Sequence, residues 1–126
     1  IFDDCQNDNR KNMDDFIKTF KVLTDKNRVR MLKMLEQNEL CVCEITSVLD
    51  ITVSTVSSHL SMLADTGFIT VRKEGKWVYA KLKKSSDNAV MHQLLAMIPG
   101  WLNSDEIIST DLIKVRNLDK EKLCKT

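Results

Sequence analysis

Two short amphipathic stretches separated by only three residues narrow the fold more than anything else in this chain. Leu40, Ile45, Val48 and Leu49 recur at helical spacing up to about Asp50, and Val53, Val56, Leu60 and Leu63 do so again as far as Thr66-Gly67. Thr52 supplies an N-cap hydroxyl for the second stretch, and Gly67 supplies a residue that tolerates the left-handed stop. A connection as short as Asp50-Ile51-Thr52 predicts two helices meeting at a tight turn, the helix-turn-helix pattern. The second helix presents Ser54, Thr55, Ser57, Ser58 and Ser61 on its polar side, and small hydroxyl side chains suit close approach to phosphates and base edges.

Directly afterwards comes the one hairpin pattern in the sequence. Phe68, Ile69 and Val71 lead into Arg72-Lys73-Glu74-Gly75-Lys76, and Trp77, Val78, Tyr79, Ala80 and Leu82 lead out. β-branched and aromatic residues around a Glu-Gly turn read as two strands. Three cations at the tip make this hairpin a wing, able to lie along the backbone or minor groove while the preceding helix enters the major groove. With Gly at 3 and Pro at 1 of 126 residues, the rest is expected to be mostly helical. The predicted class is mainly α with a small β-hairpin wing: a winged helix-turn-helix.

Flanking helices complete the plan. Met13, Phe16, Ile17, Phe20 and Leu23 predict a first helix, and Val29, Leu32, Met34 and Leu35 a second that runs to about Glu36 after a cap at Thr24-Asp25. Residues 87–98 predict a helix whose row Val90, Leu94 and Ile98 is widened by Met91 and Leu95, wider than a small core needs. Such a helix suggests a homodimer; completion of a monomeric core is the alternative. Pro99-Gly100 ends it, and a short helix is expected near Ile107–Val115. The expected division is an arm at 1–12, a DNA-binding and dimerisation domain at 13–103 and a tail at 104–126.

The formal net charge of +1 conceals segregation. Residues 17–36 and 51–84 each carry +4, while 1–16 and 37–50 each carry −3. Two basic segments amid acidic ones are how a small nucleic-acid module hides behind a neutral total. The candidate DNA contacts are Thr52, Ser54, Thr55, Ser57, Ser58, Arg72, Lys73 and Lys76. No apolar run approaches a membrane span, and acids at Asp3-Asp4 stand where a signal peptide carries bases, so a cytoplasmic protein is expected. Paired acids, a Cys-His pair and a Gly-rich phosphate loop are all missing, which argues against an enzyme.

Cys41-Val42-Cys43 is the most unusual local feature. Thiolates are soft donors that favour thiophilic ions: As(III), Sb(III), Cd(II), Pb(II), Zn(II) or Cu(I). Positions i and i+2 diverge around a regular helix, so both sulfurs reach one ion only at an irregular helix start. There the helix dipole and open amides are expected to lower the thiol pKa. Two sulfurs do not close a site, and Cys5 and Cys124 are the candidates to complete it. A redox or sulfide sensor, in which two cysteines bridge instead of binding an ion, is the rival within the DNA-binding class. An effector-independent DNA binder would leave the pair unexplained.

Leu23-Thr24-Asp25, Arg28–Leu32, Glu39–Ile45, Val56-Ser57-Ser58-His59-Leu60 and Arg72–Tyr79 together resemble the ArsR/SmtB family of winged-helix metalloregulatory repressors, over about residues 16–83. The resemblance implies a homodimer on double-stranded operator DNA, released by a metal or metalloid. It makes Glu39-Leu40-Cys41-Val42-Cys43 the metal box, in which the arsenite branch carries a third cysteine where this chain has Thr46. It implies a third ligand from elsewhere: Cys5 in the manner of the cadmium and lead branch, with Cys124 needed for a four-sulfur site. His59 matches the family's recognition-helix histidine and joins the DNA-contact candidates. The zinc branch's last-helix site is rejected, since Asp87 and His92 lack its other ligands.

Overall fold

The structure, a computed structural model, describes residues 12–118. Helix α1 (Met13–Lys21) starts at Asn12, whose Oδ1 accepts the Asp15 N–H at 2.9 Å. Acids in its first turn and lysines in its last complement the helix dipole. It stops short of Leu23, because Val22–Thr24 tighten into a 3-10 turn and the Thr24 hydroxyl donates to Lys21 O.

Asp25 caps α2 (Lys26–Leu35), accepting the N–H groups of Asn27 and Arg28 at 2.8 and 3.2 Å. Met31 to Leu35 are all buried, which makes α2 the central post of the core. Truncating one of them, as in Leu32→Ala, is expected to cost about 2–5 kcal/mol. Lys33 lies among them at 1% exposure. Its ammonium donates to Ile98 O and Asn103 Oδ1 at 3.0 and 3.2 Å and pairs with Glu36 at 2.8 Å. Only such full pairing lets a cation stay inside, and it ties α2 to the turn that ends α5.

Strand β1 (Leu40–Cys41) leads without a break into α3 (Val42–Leu49), and α4 (Val53–Thr66) follows the turn. Asp50 makes that turn in the left-handed region at φ 57°, which Asp tolerates because its short side chain can bond locally. Gly67, at φ 101°, terminates α4. Val53 was expected in the apolar stripe of α4 but is exposed, sitting at the free first turn; Val56, Leu60 and Leu63 carry the packing.

The hairpin of β2 (Ile69–Glu74) and β3 (Trp77–Leu82) forms with Glu74 opposite Trp77. The expected two-stranded wing is instead the outer part of a three-stranded antiparallel sheet of order β1-β3-β2. Leu40 pairs with Ala80 and Cys41 with Tyr79. Leu40 is therefore a strand residue and not the start of α3.

Helix α5 (Ala89–Met97) buries Met91, Leu94 and Leu95, followed by Ile98 in the next turn, so its wide stripe is absorbed by the protomer's own core. Among the described residues an exposed apolar face lies on α1, where Met13, Phe16, Ile17 and Phe20 are exposed. Helix α6 (Glu106–Arg116) folds back on α2 and α3 with Ile108, Asp111 and Val115 buried. Among the described residues no helix is long and apolar enough to cross a membrane.

Candidate DNA interface and cysteine box

The N-terminus of α4 concentrates hydroxyls. Thr52 Oγ1 accepts the Thr55 N–H at 3.2 Å and lies 2.8 Å from Thr55 Oγ1 and 3.3 Å from Ser54 Oγ. Ser57 and Ser58 are exposed on the same helix. Open amides and the positive end of the dipole at a helix N-terminus favour a phosphate. His59 turns inward. Its Nδ1 accepts from Arg28 Nη1 at 3.2 Å, since a guanidinium only donates, and Nε2 lies 3.8 Å from Asp25 Oδ1. Arg28 also donates to Val22 O at 2.7 Å. Asp25, expected from the sequence as a cap, and Arg28 join the start of α2 to the middle of α4, a link that the sequence does not show.

The three cations of the wing differ. Lys73 is exposed, and the Lys76 ammonium sits 5.0 Å from the centre of the Trp77 ring. Arg72 is engaged by protein. It donates to both carboxylate oxygens of Glu39 at 3.0 and 3.1 Å and to Glu74 at 2.9 Å, and it stacks 4.4 Å from the centre of the Tyr79 ring. Glu39 and, next, Glu74 hold its guanidinium pKa above the ordinary value. No signal in the sequence links Glu39 to Arg72, which lie on different elements.

Cys41 is 1% exposed and occupies the N-cap of α3. Glu44, equally buried, accepts the Cys41 N–H at 2.8 Å while the Cys41 sulfur faces the Glu44 N–H, so Cys-x-x-Glu forms a capping box with sulfur in the place of a hydroxyl. That spacing was open to sequence reasoning. The expected lowering of the thiol pKa does not hold at Cys41: burial pushes it up, and the amides of Glu44 and Cys43 offset this only in part. Cys43 lies half-buried in the first turn of α3 and is disulfide-bonded. Cys41 is a thiol, so the two are not bridged to each other. Thr46 Oγ1 is buried with no hydrogen-bond partner.

Among the described residues no three His, Cys, Asp or Glu side chains converge as a metal site. The Cys41 thiol, with Cys43 once its disulfide is reduced, fits part of a soft-ion site, and the further candidates Cys5 and Cys124 lie outside the described residues. Leu118, six residues before Cys124, lines a cleft with Leu40 and Glu44 on either side of Cys41. His92 and Asp87 are exposed, and His92 Nδ1 accepts only a long 3.4 Å bond from Ser86 N.

Residues 25–71 match the family described as "Bacterial regulatory protein, arsR family". The cadmium resistance transcriptional regulatory protein CadC homolog of Staphylococcus aureus is 37% identical over 90 residues, 67% of this chain and 74% of that protein. The arsenic resistance transcriptional regulator ArsR1 of Pseudomonas putida is 35% identical over 92 residues, 70% and 72% of the two chains. A homodimeric winged helix-turn-helix DNA-binding domain of a possible ArsR-family transcriptional regulator from Mycobacterium bovis has the same fold, with a TM-score of 0.57 at 24% identity, covering 70% of this chain and 78% of that one. With the cysteine box and the turn between α3 and α4 inside residues 25–71, and a relative 37% identical over 74% of its own length, the chain belongs to the arsR family of bacterial regulatory proteins, which are DNA-binding transcription regulators and not enzymes.

Proposed function

We propose that this chain is a cytoplasmic, homodimeric repressor that occupies double-stranded operator DNA and leaves it when a thiophilic ion is held by Cys41 and by Cys43 in its reduced form. As(III) or Sb(III) comes first, since three sulfurs suffice; Cd(II) or Pb(II) comes next and draws on a fourth. Cys5 or Cys124 supplies the remaining sulfur. At an extended-chain rise of about 3.3–3.6 Å per residue, the six steps from Leu118 to Cys124 can span about 20 Å, ample for returning to a cleft that Leu118 itself lines. Dimerisation through α1 would cover Met13, Phe16, Ile17 and Phe20, whose rings already pair at 5.0 Å between Phe16 and Phe20.

One observation carries the reading: Cys41 is both the N-cap of α3 and the ladder partner of Tyr79. Drawing its sulfur toward Cys43 has to disturb the capping box with Glu44, and so the helix against which α4 packs, together with the strand that holds the wing. Thr52, Ser54, Thr55, Ser57 and Ser58 would meet DNA through α4, with Lys73 and Lys76 on the wing, while His59 orients α4 through Arg28. The test is a titration of arsenite, antimonite, cadmium and lead against protein bound to a duplex selected from a random pool. Sulfur-to-ion absorption is recorded alongside release, with Cys5 and Cys124 replaced singly. Release in step with absorption is expected; absorption without release ends the proposal.

The disulfide at Cys43 favours a second reading, a repressor of the same fold that responds to thiol oxidation or sulfide. Release by a mild oxidant with no ion present, reversed by dithiothreitol, would establish it.

A further inference from the structure

The wing is joined to the cysteine box by side chains as well as by the ladder. Arg72 stands opposite Tyr79 in the β2–β3 register, and Tyr79 stands opposite Cys41 in the β1–β3 register. Arg72 crosses this sheet twice. Its guanidinium lies on the Tyr79 ring and grips Glu39, two residues before Cys41, through two parallel bonds. A bidentate Arg-carboxylate pair fixes direction as well as distance. Glu39 therefore cannot follow a movement of Cys41 without pulling on β2. A cation already holding two carboxylates is also a poor phosphate ligand, because binding DNA would require breaking those bonds.

We infer that Arg72 is a positioning residue that transmits the state of the cysteine box to the wing through Glu39, and that Lys73 and Lys76 carry the wing's phosphate contacts. This rests on the proposed release by a thiophilic ion. Glu39 immediately precedes β1 and the buried Cys41 ends it, so rotation at the β1–α3 junction reaches Arg72 as a change in the tilt of β2.

The experiment measures DNA affinity with and without arsenite for the wild type, Glu39→Gln, Arg72→Gln, the double variant and the reversed pair Glu39→Arg/Arg72→Glu. Arsenite uptake is followed by sulfur-to-arsenic absorption. In the wild type, uptake with release tests the proposed function by itself; if either is absent there, that reading falls and the role of Arg72 with it. Given release, each single change is expected to cut the arsenite-induced loss of DNA affinity by about two- to fivefold, the range of an exposed ion pair. Uptake should be unchanged, the double variant no worse than either single, and the reversed pair largely restored. The salt dependence of DNA binding should keep its slope in Arg72→Gln. Undiminished release in Glu39→Gln, or a slope lowered by about one in Arg72→Gln as for a lost phosphate contact, would overturn the inference.

Discussion

Asp111 of α6 meets Arg30 of α2 side-on, with both guanidinium-to-carboxylate bonds at 2.8 Å and the Asp111 side chain 3% exposed. Asp111 also holds the Arg30 guanidinium pKa above its usual value. Removing one member of a buried pair strands the other charge. Asp111→Ala is therefore expected to destabilise the protein by about 2–3 kcal/mol, at or just below the usual range because the Arg30 side chain keeps some access to water. Urea denaturation measures this. The double change Arg30→Met/Asp111→Leu should recover most of the loss, since it leaves no unpaired charge. A loss below about 0.5 kcal/mol in Asp111→Ala, the scale of a solvated surface pair, would mean that this pair does not hold α6.

That helix marks the boundary of what the residues show unaided. The spacing in α2, α4 and α5 and the caps at Asp25 and Thr52 are local signals, written within a few residues of where they act. The wing's two long strands were legible for the same reason. Strand β1 was not, because two residues have no period and Leu40 pairs only through Ala80, distant in sequence. Lys33 reads as a solvent-facing cation until Ile98, Asn103 and Glu36 are seen around it. At the site, the hydroxyls of α4 and the cysteine pair could be found from residue type and position. The raised pKa of Cys41 could not, since it arises from burial at the end of β1, a strand that the sequence does not announce.

Asp25 links stability to pH. Partial burial pushes its carboxyl pKa up, but the amides of Arg28 and Asn27 outweigh this, with smaller help from the charges of His59 and Arg28, and hold it below the ordinary value. A depressed carboxylate contributes stability above its unfolded pKa and loses that contribution as pH falls through the lower folded value. Asp25→Ala is expected to cost about 1 kcal/mol at neutral pH, as for a lost N-cap. The difference from wild type should shrink below roughly pH 4, the unfolded carboxylate range. Asp25→Asn keeps the cap acceptor and should flatten this dependence. Parallel stability curves for wild type and Asp25→Asn in denaturation at stepped pH would remove the assignment.

Cys41 sets a second pH dependence, of opposite origin. Burial keeps its sulfur protonated at neutral pH, and a thiolate is what binds an ion, so capture expels the proton. Apparent Cd(II) affinity is expected to rise with pH by roughly tenfold per unit for each proton released, up to the thiol pKa, whereas As(OH)3 carries the thiol protons away on its departing hydroxides as water and its affinity should stay nearly flat. Cys41→Ser retains an N-cap acceptor for the Glu44 amide, so DNA affinity without ion should stay within about threefold while release is lost. Calorimetry in buffers of different ionisation enthalpy counts the protons, and release that persists in Cys41→Ser would take Cys41 out of the sensing role.

DNA binding itself separates charge from hydroxyl. If Lys73 and Lys76 neutralise phosphates, each change to Gln should lower the slope of log affinity against log salt by about one and weaken selected and random duplexes alike. Ser57 and Ser58 stand exposed one turn beyond the hydroxyl cluster at the start of α4, where a helix entering the major groove brings its side chains to base edges. Ser57→Ala or Ser58→Ala should then leave the salt slope in place and change which bases are preferred, by about 1 kcal/mol or more at a contacted position. Selection of duplexes by each variant reads this out. A variant that selects the wild-type sequence with the wild-type stringency does not read bases through that serine, and recognition would have to come from Thr55 or from the shape of the duplex.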